Sequence, residues 1–338
     1  MTSITRSFAS PKVLLRAVAW AVYIALGVGI IWGVVALVRL QGPVFFLQAV
    51  LDGLRLGFVY ALIALGYTMV YGIVRLINFA HGDIFMVGAF TSFYAISQYR
   101  WGFFPAILLA MFVCVLLNVV IERVAYKPLR NAPRIAALIT AIGVSFFLEY
   151  FTALKWVFSA DYITYQRPFK VVVWNIKGIL ISNITVIIVV TTLLLLLVLR
   201  YIVYNTRMGK AMRATALDKP TARLMGINVD GVISFTFALG AALAGAGGVL
   251  YAIAFPQIVT FMGIMPGLKA FVAAVLGGIG NIMGAFVGSL LMGMVDVLVV
   301  SFVPMGSRLR DLFAFLVLII VFLVKPTGIF GEPEVEKV

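Results

Sequence analysis

Long apolar runs follow one another along almost the whole chain, each broken by a short polar or glycine-bearing stretch. The first, Val13 to Val38, is followed directly by Arg39, Leu40 and Gln41. A cleaved leader has a shorter apolar core and a small-residue cleavage site, so 13–38 reads as a retained first span that starts inside. The next run, Phe45 to Val74, is too long for one simple crossing. Asp52 and Arg55 interrupt its first half, which places that half near the outer interface and the crossing at Gly57 to Val74. Ile84 to Gln98 reads as a short span. Phe103 to Ile121, Ile135 to Val157 and Ile184 to Val203 read as full ones. Between the last two, 158–183 is mixed and carries Tyr162, Tyr165 and Trp174, which suits an outer-surface segment or a short strand pair.

The second half is richer in small residues. Within Val232 to Phe255, Gly240, Ala244 and Gly248 recur at every fourth position, as do Ala241 and Gly245. Such faces let helix backbones approach closely in lipid. Pro256 to Gly267 reads as a loop and Leu268 to Leu276 as a segment too short to cross. Gly284 and Gly288 open a helix to about Val303, Pro304 to Asp311 is polar, and Leu312 to Val324 is the last span. The pattern therefore predicts an all-α, polytopic helical membrane protein, a single domain over 1–338. It has about ten membrane segments, two of them short, and both termini inside. Continuous runs of this kind exclude a transmembrane barrel.

Composition agrees. Of 338 residues, 64% are hydrophobic and 11% charged, against about 25% charged in a soluble domain. The net charge of +14 would point to nucleic acid in a soluble protein. Here most Lys and Arg sit in short loops, where they set topology; the surroundings are lipid and no nucleic-acid partner is expected. Arg123, Lys127, Arg130 and Arg134 crowd one loop, 122–134, which marks it as internal. Alternation puts 205–228 on the same side. Cys114 is the sole cysteine, so an intrachain disulfide is impossible.

The stretch 205–228 is polar and rich in small residues, yet it reads as folded. Asp218 is a helix N-cap, Pro220 sits in the first turn, and Gly226 falls where a short helix ends in a left-handed residue. Ala222, Leu224 and Met225 offer small and apolar contacts, and Lys219 and Arg223 add charge. Two readings stay open: a handle gripped by another protein, or a basic loop held near headgroups.

Catalysis finds little support. His81 is the only histidine, which excludes a multi-histidine zinc site. Neither a Gly-x-Ser-x-Gly elbow nor a Gly-x-x-x-x-Gly-Lys-Ser/Thr loop is present. No cofactor or metal is expected in this chain, and any ATP must be bound by another subunit. An enzyme acting through carboxylates is the weakest alternative. Glu149 and Asp296 lie inside spans, where an acid costs about 2.5–3.5 kcal/mol. They either line a substrate path, or make inter-helix hydrogen bonds or lie near the interface. Lys269 either lines a vestibule or snorkels outwards. Asn78 and His81, at a turn, form a gate or subunit contact, or else Asn78 and Asp83 cap a helix. No chain of acids along one span suggests an ion-coupled carrier.

Several motifs carry a resemblance. They are Gly66-Tyr67-Thr68-Met69-Val70-Tyr71-Gly72-Ile73 with Ile77-Asn78-Phe79-Ala80-His81-Gly82, and Ile121-Glu122-Arg123-Val124-Ala125-Tyr126. They continue with Lys269-Ala270-Phe271 running into Ala273-Ala274-Val275-Leu276-Gly277-Gly278-Ile279-Gly280, and with Pro326-Thr327-Gly328-Ile329. Together they resemble the LivH-type permease family of bacterial high-affinity branched-chain amino-acid ABC importers, from about residue 45 to the C-terminus. The span 13–38 lies beyond the common pattern. The resemblance implies an inner-membrane permease of the type II, ten-helix architecture. Its partners would be a second homologous permease, two cytoplasmic ATPase subunits that bind the ATP, and a periplasmic binding protein delivering Leu, Ile or Val. It also implies that Arg213, Ala214, Asp218, Pro220, Ala222, Arg223 and Gly226 belong to the segment coupled to the ATPases. Permeases for urea, short amides or other amino acids share these motifs, and a self-sufficient channel or carrier is a rival of another class.

Overall fold

The computed structural model describes residues 41–130, 132–325 and 327–331; the run 13–38 lies outside the described residues. Eleven helices follow in order among those described: α1 (Pro43–Val74), α2 (His81–Ser97), α3 (Phe103–Ile121), α4 (Arg134–Thr152), α5 (Asn183–Asn205), α6 (Arg207–Leu217), α7 (Lys219–Leu224), α8 (Val229–Ala254), α9 (Ile264–Gly277), α10 (Ile282–Phe302) and α11 (Gly306–Val324). A π turn (Glu122–Tyr126) and a 3-10 turn (Lys127–Leu129) extend α3. Four short strands complete the set: β1 (Ile163–Thr164), β2 (Val173–Ile176), β3 (Ile179–Ser182) and β4 (Gln257–Ile258). β2 and β3 form an antiparallel hairpin, and β1 pairs with β4. The strand pair expected within 158–183 is thus present.

Six helices among the described residues are long and apolar enough to cross a membrane: α1, α3 with its extension, α4, α5, α8 and α10. That is fewer than the ten segments counted in the sequence. The remaining ones fall on α2, α9 and α11, and on 13–38. The protein is a multi-pass helical membrane protein. Several boundaries differ from the expected ones, among them the end of α4, at Thr152 instead of Val157. Asp52 and Arg55 do not break α1, which is one helix of 32 residues, about 48 Å long. Both charges are accommodated on it, Arg55 pairing with Asp52 one turn earlier at 3.4 Å while Gln48 donates to Asp52 at 3.1 Å. α9 starts four residues before Leu268, so part of the expected loop is helical. Residues 306–311, read as a polar loop, form the first turns of α11.

Local sequence explains many of the ends. Ser182, Thr206, Asp218, Asn228 and Asn281 each accept a backbone N–H of the first turn of the helix that follows, the role that short polar side chains serve at N-caps. α2 is an exception. Its N-cap is Ala80, without a side-chain bond, so Asn78 and Asp83 do not act as caps.

The core lies where α1, α2, α8 and α10 meet, and close contact is set by small residues. A Cβ on Gly88 of α2 would sit 2.6 Å from the Gly245 Cα of α8, and one on Gly57 of α1 would sit 2.7 Å from the Leu290 Cα of α10. Neither position has room for a side chain. The four-residue spacing read in 232–255 thus places backbone against backbone. α3 shows the opposite face: Phe104, Leu108, Phe112, Leu116 and Val120, four residues apart, are all exposed among the described residues. In a bilayer that stripe meets lipid or another apolar chain.

Candidate functional site

One end of the bundle gathers the basic loops. Thr206 caps α6 by accepting Gly209 N–H at 3.1 Å. Asp218 then ends α6, where its N–H donates to the Ala214 carbonyl at 3.2 Å. It also starts α7, accepting Thr221 N–H at 3.2 Å and the Thr221 hydroxyl at 2.8 Å. Pro220 lies in the first turn of α7, and Gly226 follows the helix at φ 80° with open space where a Cβ would be. All three roles were legible in the residue types. Ala222 is the buried residue of α7. Leu224 is 88% and Met225 78% exposed, so the apolar side chains of this segment point away from the chain's own core. Arg213 donates to the Val203 carbonyl and lies over the Tyr204 ring at 5.6 Å.

Polar links tie this segment to the bundle. Lys219 Nζ donates to the Val74 carbonyl, the last of α1, at 3.2 Å. Burial, and then the nearby Arg130, Arg75 and Arg223, hold the Lys219 ammonium below the usual lysine range. Arg223 reaches Asp230 of α8 at 3.5 Å, and Asp230 also meets Lys127 at 3.5 Å and Arg130 at 2.5 Å. Arg130 pairs in turn with Glu122, which is fully buried and accepts from the Ser234 hydroxyl at 2.7 Å. The loops 122–134 and 205–228 therefore stand at the same end, as the charge distribution required. An open cavity of about 350 Å³ lies beside them, lined by Arg223, Gly226, Ile227, Asn228, Val229 and Asp230.

A second cluster is buried between α1, α9, α10 and α11. Asp296 accepts from Lys269 at 3.0 and 3.1 Å, from Arg310 at 2.8 Å and from the Tyr60 hydroxyl at 2.8 Å. Lys269 also meets Asp311 at 2.8 Å. Both Lys269 and Asp296 are buried, so Lys269 does not snorkel outwards. Two cations balance two anions, as burial of charge demands. Tyr60, Arg310 and Asp311 escaped the sequence reading: a tyrosine in an apolar run gives no signal, and the two charges looked like part of a surface loop.

The remaining polar candidates lie around the start of α2. Tyr126 donates to Asn78 Oδ1 at 2.6 Å, Asn78 Nδ2 is buried without a hydrogen-bond partner, and the His81 ring is fully buried beside the Ile63 carbonyl. The His81 ring meets Tyr67 edge-on at 4.7 Å. Glu149 is buried on α4 beside Asp83, and Ser145 donates to the Asp83 carboxylate at 2.5 Å. The structure thus joins Lys269 to Asp296, and sets Glu149, Asn78 and His81 in separate contacts. Among the described residues no three His, Cys, Asp or Glu side chains gather as metal ligands.

Comparison with known proteins adds what geometry alone lacks. Residues 49–322 match the family described as "Branched-chain amino acid transport system / permease component". The high-affinity branched-chain amino acid transport system permease protein LivH of Salmonella typhimurium is 42% identical over 327 residues, covering 87% of this chain and 98% of that protein. The corresponding permease protein BraD of Pseudomonas aeruginosa is 40% identical, with the same coverage. A probable LivH of Methanocaldococcus jannaschii is 28% identical over 80% of this chain and 88% of its own length. No solved structure matches the chain.

Proposed function

The chain belongs to the branched-chain amino acid transport permease family, and from that premise we propose that it is the membrane subunit of an ATP-driven importer of leucine, isoleucine and valine. In this reading it works in the bacterial inner membrane as a type II permease of about ten segments. It would act beside a second permease, two cytoplasmic ATPase subunits and a periplasmic binding protein. The observation that carries the ATP-driven part is α7. Asp218 and Pro220 start it, Gly226 ends it, and the apolar Leu224 and Met225 stand clear of the packing of the described residues. Exposed side chains of that kind on a capped, basic helix suit a groove in a partner.

The mechanism follows from the linkages. Nucleotide binding draws the two ATPases together and displaces Arg213 to Gly226. Lys219 and Arg223 pass that displacement to the ends of α1 and α8. Because α1 and α10, and α2 and α8, touch backbone to backbone, these pairs move as units and the path opens to one side at a time. The substrate biases the cycle only through different affinity for the two states. Asn78, His81, Glu149, Lys269 and Asp296 remain the polar groups assigned to the path or its gate. Radiolabelled leucine uptake in cells lacking this chain is the decisive measurement. It should fall and be restored by the chain in trans; unchanged uptake removes the branched-chain assignment.

A further inference from the structure

α7 is short and buries little of itself, so something must transmit its motion into the long helices. Asp230, in the first turn of α8, is the point where three elements meet. It takes Arg223 from α7, Lys127 from the 3-10 turn, and Arg130 just beyond that turn. Arg130 uses its two terminal nitrogens separately. One binds Asp230, the other binds Glu122 at the end of α3. Glu122 is fully buried, and its second oxygen is held by Ser234, one turn further along α8. The arrangement is a chain of charge-assisted bonds running from α7 through Asp230 and Arg130 to Glu122, and returning to α8 through Ser234.

The two halves of this chain differ physically. The Glu122–Arg130 pair is withdrawn from water, and breaking it would leave a buried carboxylate with Ser234 but no countercharge. It is a fixed joint. Asp230 is 43% exposed and its bonds to Arg223 and Lys127 are long, at 3.5 Å. It is the adjustable joint, and the cavity at Arg223 and Gly226 leaves space on that side for α7 to shift. We infer that Asp230 is a positioning residue of the transport cycle, holding α7 in register with the ends of α3 and α8 so that displacement of α7 moves both. The inference rests on the ATP-driven reading given above.

The test uses the complete transporter reconstituted in proteoliposomes with its binding protein. Asp230→Asn removes the hub's charge and leaves the buried Glu122–Arg130 joint in place. The coupling energies usual between sites correspond to roughly fivefold effects or more. Leucine imported per ATP hydrolysed should therefore fall by roughly fivefold or more, with basal hydrolysis and subunit stoichiometry unchanged, and Asp230→Glu should restore it. A structural role alone would not alter a second readout. Spin labels on Leu217→Cys and Val124→Cys, both exposed positions, should keep one separation between nucleotide-free and ATP-trapped states. In Asp230→Asn the separation should change between those states. Normal uptake per ATP in Asp230→Asn overturns the inference, as does a complex that loses its ATPases, since Asp230 would then serve assembly. Absence of ATP-dependent leucine uptake in the unmodified transporter would instead strike the proposed function.

Discussion

Asp296→Asn offers the sharpest check on the buried ion network. The carboxylate accepts from Lys269, Arg310 and Tyr60 at once, and the carboxamide would turn an N–H toward two cations. Arg310 is one-third exposed and can turn to water, and Lys269 keeps Asp311. Lys269 itself is 2% exposed, so most of the loss falls on a buried ammonium. Removing one partner of a buried pair costs about 3–5 kcal/mol. The surviving Asp311 contact argues for the low end, about 3 kcal/mol, or a folded-to-unfolded ratio lower by roughly 150-fold. Unfolding of the purified chain in mixed micelles, followed by far-ultraviolet circular dichroism against denaturing detergent, measures it. Removing both charges tells the two contributions apart. Lys269→Met with Asp296→Leu leaves no buried charge alone and should cost about 1 kcal/mol, that of the Tyr60 hydroxyl left without its acceptor. If Asp296→Asn is as stable as the native chain, or the double change is as damaging as the single one, the charges are not holding the helices together in the way described.

Three further outcomes follow from the geometry. Asp218→Ala removes the acceptor for both Thr221 groups, weakening the start of α7 by about 1 kcal/mol; Gly226→Pro forces a φ near −65° where 80° is observed. Each should lower substrate-stimulated ATP hydrolysis with membrane insertion intact, and normal leucine uptake in both would remove the coupling role. Gly88→Val drives a Cβ into the α8 backbone, so the yield of monodisperse protein after detergent extraction should drop sharply; undiminished yield would mean α2 and α8 can separate at little cost. The purified chain alone in liposomes should pass no leucine, and flux without ATPases would favour a self-sufficient carrier.

Much of the fold could be read from the chain, and the reasons are specific. α3 was placed residue for residue because its apolar run has sharp polar ends at Gly102 and Glu122. Asp218, Pro220 and Gly226 declared α7 through backbone chemistry that is local. What failed was mostly tertiary in origin, with one local exception. Asp52 and Arg55 look like an interruption in one dimension, yet on a helix they are one turn apart and pair. Arg310 and Asp311 look like a surface loop until α9 and α10 bring Lys269 and Asp296 to them. The hub at Asp230 was invisible for the same reason: its cations come from Arg223 nearby and from Lys127 and Arg130, a hundred positions or so upstream.

Leu224 and Met225 carry one last implication. They form a greasy knob on a segment otherwise rich in charge, and none of the described residues covers it. A copy made in excess of its companions would display that knob continuously, inviting chaperones, clumping and proteolytic clearance. Cells that use this subunit must therefore synthesise it in step with whatever caps the knob, and an orphaned copy should be short-lived.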